Sequence, residues 1–117
     1  MSAPAFRRRV TILGATGSIG RSTAAVIEEA RASGEAEIEV EALTAGSDVA
    51  GLLHMAQRLR PRFVALAEDR VLADARAAFA GTGIEVGAGA AALKEAACRP
   101  ADWVMSASVG AAGMRRT

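Results

Sequence analysis

The stretch VTILGATGSIGRST, Val10 to Thr23, runs from β-branched and aliphatic residues into glycines at positions 14, 17 and 20. The segment RVTILG, 9–14, has the composition of a buried strand and stops at a glycine. From Ile19 onward the apolar positions fall at Ile19, Thr23, Val26, Ile27 and Ala30, the three-to-four spacing of an amphipathic helix, which Gly34 ends. The first unit is therefore strand, glycine turn, helix.

The same alternation continues along the chain. IEVEALTAG, 38–46, sets Ile38, Val40 and Ala42 against glutamates and then turns wholly apolar, as a strand does on entering a covered sheet. Asp48 stands where a helix N-cap belongs, and Val49, Leu52, Leu53, Ala56 and Leu59 form a second helical stripe that stops before Pro61. A third strand is expected over 62–67, a third helix through Val71 to Phe79 and a short fourth strand over 84–86. A brief helix follows in AALKEAAC, then a last strand over 102–108 that leads into the loop VGAAG. Strand-helix alternation forces parallel pairing with right-handed crossovers. The expected fold is α/β: a Rossmann-like doubly wound parallel sheet with helices on both faces. In such sheets ligands bind at the carboxyl ends of the strands, where the winding reverses.

Composition narrows the function. Fourteen Lys and Arg against thirteen Asp and Glu leave a formal charge of +1, so there is no strong field to gather nucleic acid or anionic lipid. No apolar run approaches the roughly 18 residues needed to span a bilayer, and the expected location is the cytoplasm. The single cysteine, Cys98, has no partner for an internal disulfide and no Cys or His at metal-ligand spacing, and reads as a small buried side chain. His54 falls on the polar side of its helix, Trp103 reads as packing, and the arginines at 7–9 and 115–116 read as solvated.

The glycine turn carries the chemistry. Gly14 permits a tight exit from the strand, Gly17 lets a diphosphate approach the main chain, and Gly20 lets the helix lie close to the sheet. The N–H groups from Thr16 to Ile19, with about half an elementary charge from the helix dipole, face the diphosphate. Thr16 and Ser18 add hydroxyls, and Ser18 is also a candidate helix cap. At the end of the second strand, where NAD-binding domains place an acidic residue on the ribose diol, the text is Thr44-Ala45-Gly46-Ser47-Asp48. Small residues there leave room for a 2′-phosphate and favour NADP. Asp48 either caps the following helix or bonds a ribose hydroxyl, and Arg21 is either a partner for the 2′-phosphate or a solvated helix arginine. Glu35 and Glu37 lie at the opposite edge, before the second strand.

Taken together, TILGATGSIGRST, ALTAGSDV, RPRFVAL and SASVGAAG, in that order, resemble the N-terminal part of the 1-deoxy-D-xylulose 5-phosphate reductoisomerase family over about residues 9 to 114. The resemblance implies an NADPH-dependent enzyme that rearranges and reduces 1-deoxy-D-xylulose 5-phosphate to 2-C-methyl-D-erythritol 4-phosphate in non-mevalonate isoprenoid synthesis. It also implies Mg2+ or Mn2+ bound in a later domain, a sugar-phosphate substrate and a homodimer when full length. By position, Thr16, Gly17, Ser18 and Ile19 would hold the cofactor phosphates, and Gly46, Ser47 and Asp48 would lie by the adenosine ribose. Ser47 and Asp48 depart from the Lys-Asn or similar pair often found there.

The expected organisation is a flexible tail over 1–8 and a dinucleotide-binding domain over 9–117. That domain is incomplete at its C-terminal end, and the catalytic and C-terminal domains, with every catalytic and metal-binding residue, are expected downstream. Two alternatives stand beside this reading. One is an NAD(P)-dependent semialdehyde-type dehydrogenase fragment, for which Cys98 is poorly placed as nucleophile. The other is a nucleotide-binding module without chemistry.

Overall fold

The structure, a computed structural model, describes residues 7–34 and 37–106. Five strands, β1 Arg7–Leu13, β2 Glu37–Ala45, β3 Phe63–Leu66, β4 Glu85–Ala88 and β5 Trp103–Ser106, form one sheet in the order β4-β3-β2-β1-β5. Every neighbouring pair is parallel. The helices are α1 Ser18–Ser33, α2 Val49–Leu59, α3 Leu72–Ala78 and α4 Ala90–Cys98, with a 3-10 turn, Asp69–Val71, leading into α3.

The strand order explains which helix covers which face. From β1 to β4 the chain steps always the same way, so α1, α2 and α3 fall on one side of the sheet. There Ile27, Leu52, Met55 and Ala75 close over Val10, Ile12 and Leu43 in one buried cluster. After β4 the chain crosses back to β5 beside β1, which carries α4 to the other face. Ala92 and Ala96 of α4 pack on Ala42, Phe63 and Ala65 in a second cluster. Alanine on both sides lets this helix approach the sheet closely. The expected doubly wound α/β sheet with helices on both faces is the observed one, and the winding reverses between β1 and β5.

Several boundaries and environments differ from those read in the sequence. Strand β1 begins at Arg7, so Arg7 and Arg8 belong to the sheet rather than to a tail; residues 1–6 lie outside the described residues. Strand β4 is displaced to Glu85–Ala88, because Gly81 and Gly83, both at positive φ, and the Thr82 side chain occupy the turn before it. Cys98 ends α4 and is exposed. Trp103 is 45% exposed rather than packed inside, and carries the Arg8 guanidinium 5.7 Å from its ring centre. Glu35, the last residues of the expected fifth strand at 107 and 108, the VGAAG loop and Arg115–Arg116 lie outside the described residues.

Strand β2 also contains an irregularity. Val10 pairs with Val40, but Thr11 pairs with Ala42, so Glu41 is an extra residue in the ladder. The bulge keeps Val40 and Leu43, three apart, in the same apolar cluster. Glu41 itself is buried, and its carboxylate takes Arg99 Nε at 2.7 Å, with Arg9 and Arg62 each at 3.7 Å. Arg99 also stacks 4.8 Å over the Phe63 ring. Arg9 is thus not simply solvated.

Candidate functional site at the carboxyl ends of β1 and β2

The turn after β1 is built by its glycines and anchored to β2. Gly14 has φ 78°, a conformation that a side chain disfavours. Its N–H donates to Thr44 Oγ1 at 2.9 Å, and the Ala15 N–H donates to the Thr44 carbonyl at 2.7 Å. The Gly17 N–H closes the turn on the Gly14 carbonyl at 3.3 Å. The ends of β1 and β2 therefore form one rigid ledge.

Helix α1 starts against this ledge. Its N-cap is Gly17, extended at φ −78° and ψ 175°, with no side-chain capping bond. The expected alternative, Ser18 as cap, is corrected: Ser18 is the first helical residue and is exposed. The cap carries no side chain, which leaves first-turn N–H groups aimed outward at the positive end of the helix dipole. Gly20 supplies the close approach, since a Cβ there would lie 2.7 Å from the Ala15 carbonyl carbon and Cα. Thr16 is half-buried at the edge of the turn, and Gly17 is exposed beside it. The backbone of Ile19 lies in this first turn.

The end of β2 forms the second half of the ledge. Gly46, Ser47 and Asp48 are all exposed. The Gly46 carbonyl accepts the Ala67 and Glu68 N–H groups, at 2.9 and 3.2 Å, which ties β3 to the same edge. Asp48 is the N-cap of α2: its Oδ1 accepts the Gly51 N–H at 2.9 Å, and its carbonyl accepts that of Leu52 at 3.0 Å. The structure thus brings Thr16, Gly17, Ser18 and Ile19 to one side of the ledge and Gly46, Ser47 and Asp48 to the other. Chemically, the free N–H groups at the helix end suit an anion, and the open end of β2 leaves room for a sugar ring.

Sequence reading overlooked Thr44 as the residue that joins the two halves; its signal was a hydroxyl inside an otherwise apolar strand end. Glu37 opens β2 at the amino edge, away from the ledge. His54 is exposed on α2. Arg21 is exposed, with its N–H on the Gly17 carbonyl at 3.0 Å. Among the described residues no group of three or more His, Cys, Asp or Glu could hold a metal ion.

Comparison with known proteins agrees with this geometry. The sequence profile of the family described as 1-deoxy-D-xylulose 5-phosphate reductoisomerase matches residues 10–117. The 1-deoxy-D-xylulose 5-phosphate reductoisomerase of Afipia carboxidovorans is 54% identical over 112 residues, 96% of this chain and 26% of its own length. That of Caulobacter vibrioides is 46% identical over 117 residues, the whole of this chain and 28% of its own. Among solved structures, the Zymomonas mobilis reductoisomerase in complex with NADPH superposes with a TM-score of 0.77 at 42% identity, covering 89% of this chain and 26% of that one. A DOX-P reductoisomerase in complex with NADPH, fosmidomycin and magnesium gives a TM-score of 0.72 at 30% identity, covering 83% and 23%. The chain thus spans about a quarter of the length of the relatives it matches. With its fold, its glycine turn and a match along nearly all its residues, the chain belongs to the 1-deoxy-D-xylulose 5-phosphate reductoisomerase family.

Proposed function

We propose that this chain provides the NADPH-binding part of an enzyme that rearranges and reduces 1-deoxy-D-xylulose 5-phosphate to 2-C-methyl-D-erythritol 4-phosphate in non-mevalonate isoprenoid synthesis. The observation that carries the reading is the side-chain-free start of α1 at Gly17, held against the end of β2 by the Gly14–Thr44 bond. NADPH supplies a hydride when bound. Thr16 to Ile19 hold its diphosphate through main-chain N–H groups and hydroxyls, and Gly46, Ser47 and Asp48 support the adenosine ribose. Gly20 sets the distance at which the diphosphate meets the helix, because it allows α1 to close on the turn.

The relatives' NADPH-bound structures support the same cofactor here. The relatives' magnesium-bound structures support a divalent cation for a full-length enzyme, and we assign Mg2+ or Mn2+ and the sugar-phosphate substrate to its other domains. Among the described residues no helix is long and apolar enough to cross a membrane. A cytoplasmic location and a homodimer at full length belong to the same proposal, and the formal charge of +1 provides no strong field to gather nucleic acid or anionic lipid.

Fluorescence titration with NADPH tests the binding reading. Saturable binding that Gly17→Val abolishes is the expected result, and no binding by the wild type overturns it. Oxidation of NADPH dependent on both 1-deoxy-D-xylulose 5-phosphate and a divalent metal, assayed with the full-length enzyme, tests the reaction.

A further inference from the structure

The end of β2 places a fixed negative charge where a dinucleotide lays its adenosine ribose. The Gly14 and Ala15 bonds to Thr44 hold the diphosphate turn against β2, so a dinucleotide seated on α1 extends its adenosine half across Gly46, Ser47 and Asp48. Asp48 is not free to swing away. Its Oδ1 is held by the Gly51 N–H, its carbonyl by Leu52, and the Ser47 carbonyl by Val49 at 2.9 Å. The absence of a side chain at Gly51 makes room for the carboxylate, whose Oδ2 occupies the space that a Cβ would fill.

The start of α2, through the Gly51 N–H and the helix dipole, is what compensates this charge, and among the described residues no cation adds to it. Glu68 follows β3 at the same edge, with its N–H on the Gly46 carbonyl, and its carboxylate pairs with Arg70 at 3.7 Å. Among the described residues no Lys or Arg forms an ion pair with Asp48. Carboxylates at the end of the second strand of NAD-binding folds accept bonds from the ribose hydroxyls, whereas a 2′-phosphate is favoured by arginine; Asp48 brings its carboxylate three residues beyond that strand end, at the cap of α2.

Resting on the dinucleotide reading above, we propose that Asp48 is a specificity-determining residue: its carboxylate opposes the 2′-phosphate and narrows the preference for NADPH over NADH. Its two roles separate chemically, because asparagine and serine cap helices about as well as aspartate but carry no charge.

The test is a titration of the intact protein with NADPH and with NADH, for the wild type, Asp48→Asn and Asp48→Ser, at low and high salt. The expected result is an NADPH Kd about tenfold lower in both variants, as removal of one nearby like charge gives, with NADH affinity equal or weaker and an unchanged melting temperature. The difference between wild type and variants should shrink with added salt. If the wild type binds both nucleotides and the ratio of their Kd values stays constant across the variants, the inference is overturned while the site stands. If the wild type binds neither nucleotide, the dinucleotide reading itself falls.

Discussion

The hydroxyl of Thr44 accepts the Gly14 N–H at 2.9 Å across thirty residues of sequence. The Thr44 carbonyl takes the next N–H, that of Ala15, at 2.7 Å. One residue near the end of β2 thereby holds both N–H groups that open the glycine turn. The turn is shaped by its own glycines but located by Thr44, which is itself 5% exposed.

Replacement of Thr44 by valine keeps the shape and removes the acceptor. The Gly14 N–H is then left without its partner at a half-buried position, at a cost of about 1–3 kcal/mol. Denaturant unfolding should show that loss, NADPH affinity should fall with it, and Thr44→Ser should restore most of both. A valine variant with unaltered stability and affinity would show that the turn is located by something else.

Gly20 makes a sterically sharper prediction. A methyl group at this position meets Ala15 backbone, which cannot rotate out of the way. Gly20→Ala should destabilise the fold by about 1–3 kcal/mol through overpacking, even though alanine raises intrinsic helix propensity by about 1 kcal/mol. Thermal melting of the variant decides the sign.

Charge in the middle of the sheet carries a separate expectation. Glu41 is 4% exposed and holds Arg99 at 2.7 Å; without it Arg99 keeps Glu95 at 2.8 Å, while Arg9 and Arg62 keep Glu39. Glu41→Ala should therefore cost about 1–3 kcal/mol, the loss of hydrogen bonds to a buried charged group. A loss as small as that at an exposed ion pair would mean that water replaces the carboxylate.

A different clamp carries an expectation for acid stability. Glu28 of α1 and Arg58 of α2 meet at 2.5 Å, and the hydrogen bond from Arg58 holds the Glu28 carboxyl below the usual carboxylate range. A carboxyl whose folded value is depressed contributes stability above its unfolded pKa, about 4.3 for Glu, and loses it as the pH falls through the lower folded value. The melting temperature of Glu28→Gln should therefore fall less steeply than that of the wild type as the pH is lowered from 5 to 3, a window set by the same reference value. Parallel curves would remove Glu28 from the acid response.

The parts of this fold legible in sequence are those set by local chemistry. Ile19 through Ala30 have helical spacing, Gly34 ends the helix in the left-handed conformation at φ 76°, and Asp48 caps α2, each decided within a few residues. The bulge at Glu41 is different in kind. Its carboxylate is satisfied by Arg99, fifty-eight residues away, so a glutamate that alternates correctly for a solvent face is instead buried. Trp103 shows the converse: an aromatic in a strand reads as core, yet β5 is exposed along its whole described length. In the site, glycine spacing placed the turn, whereas the role of Thr44 depends on the side-by-side arrangement of β1 and β2.

The reversal of winding between β4 and β5 also sets an order of events during synthesis. Arg9 and Asp102 exchange two hydrogen bonds, the Arg9 N–H to Asp102 Oδ2 at 2.8 Å and the Asp102 N–H to the Arg9 carbonyl at 2.7 Å, across ninety-three residues. At translation rates of about 5–20 residues per second, β1 waits about 5–20 s for this neighbour. Strands β2, β3 and β4 and their helices are made in that interval, and the side of β1 that β5 later covers stays open while they are made. Such an edge is a template for another chain. The nascent protein is therefore open to mispairing along the border beside its glycine turn until Asp102 has been made.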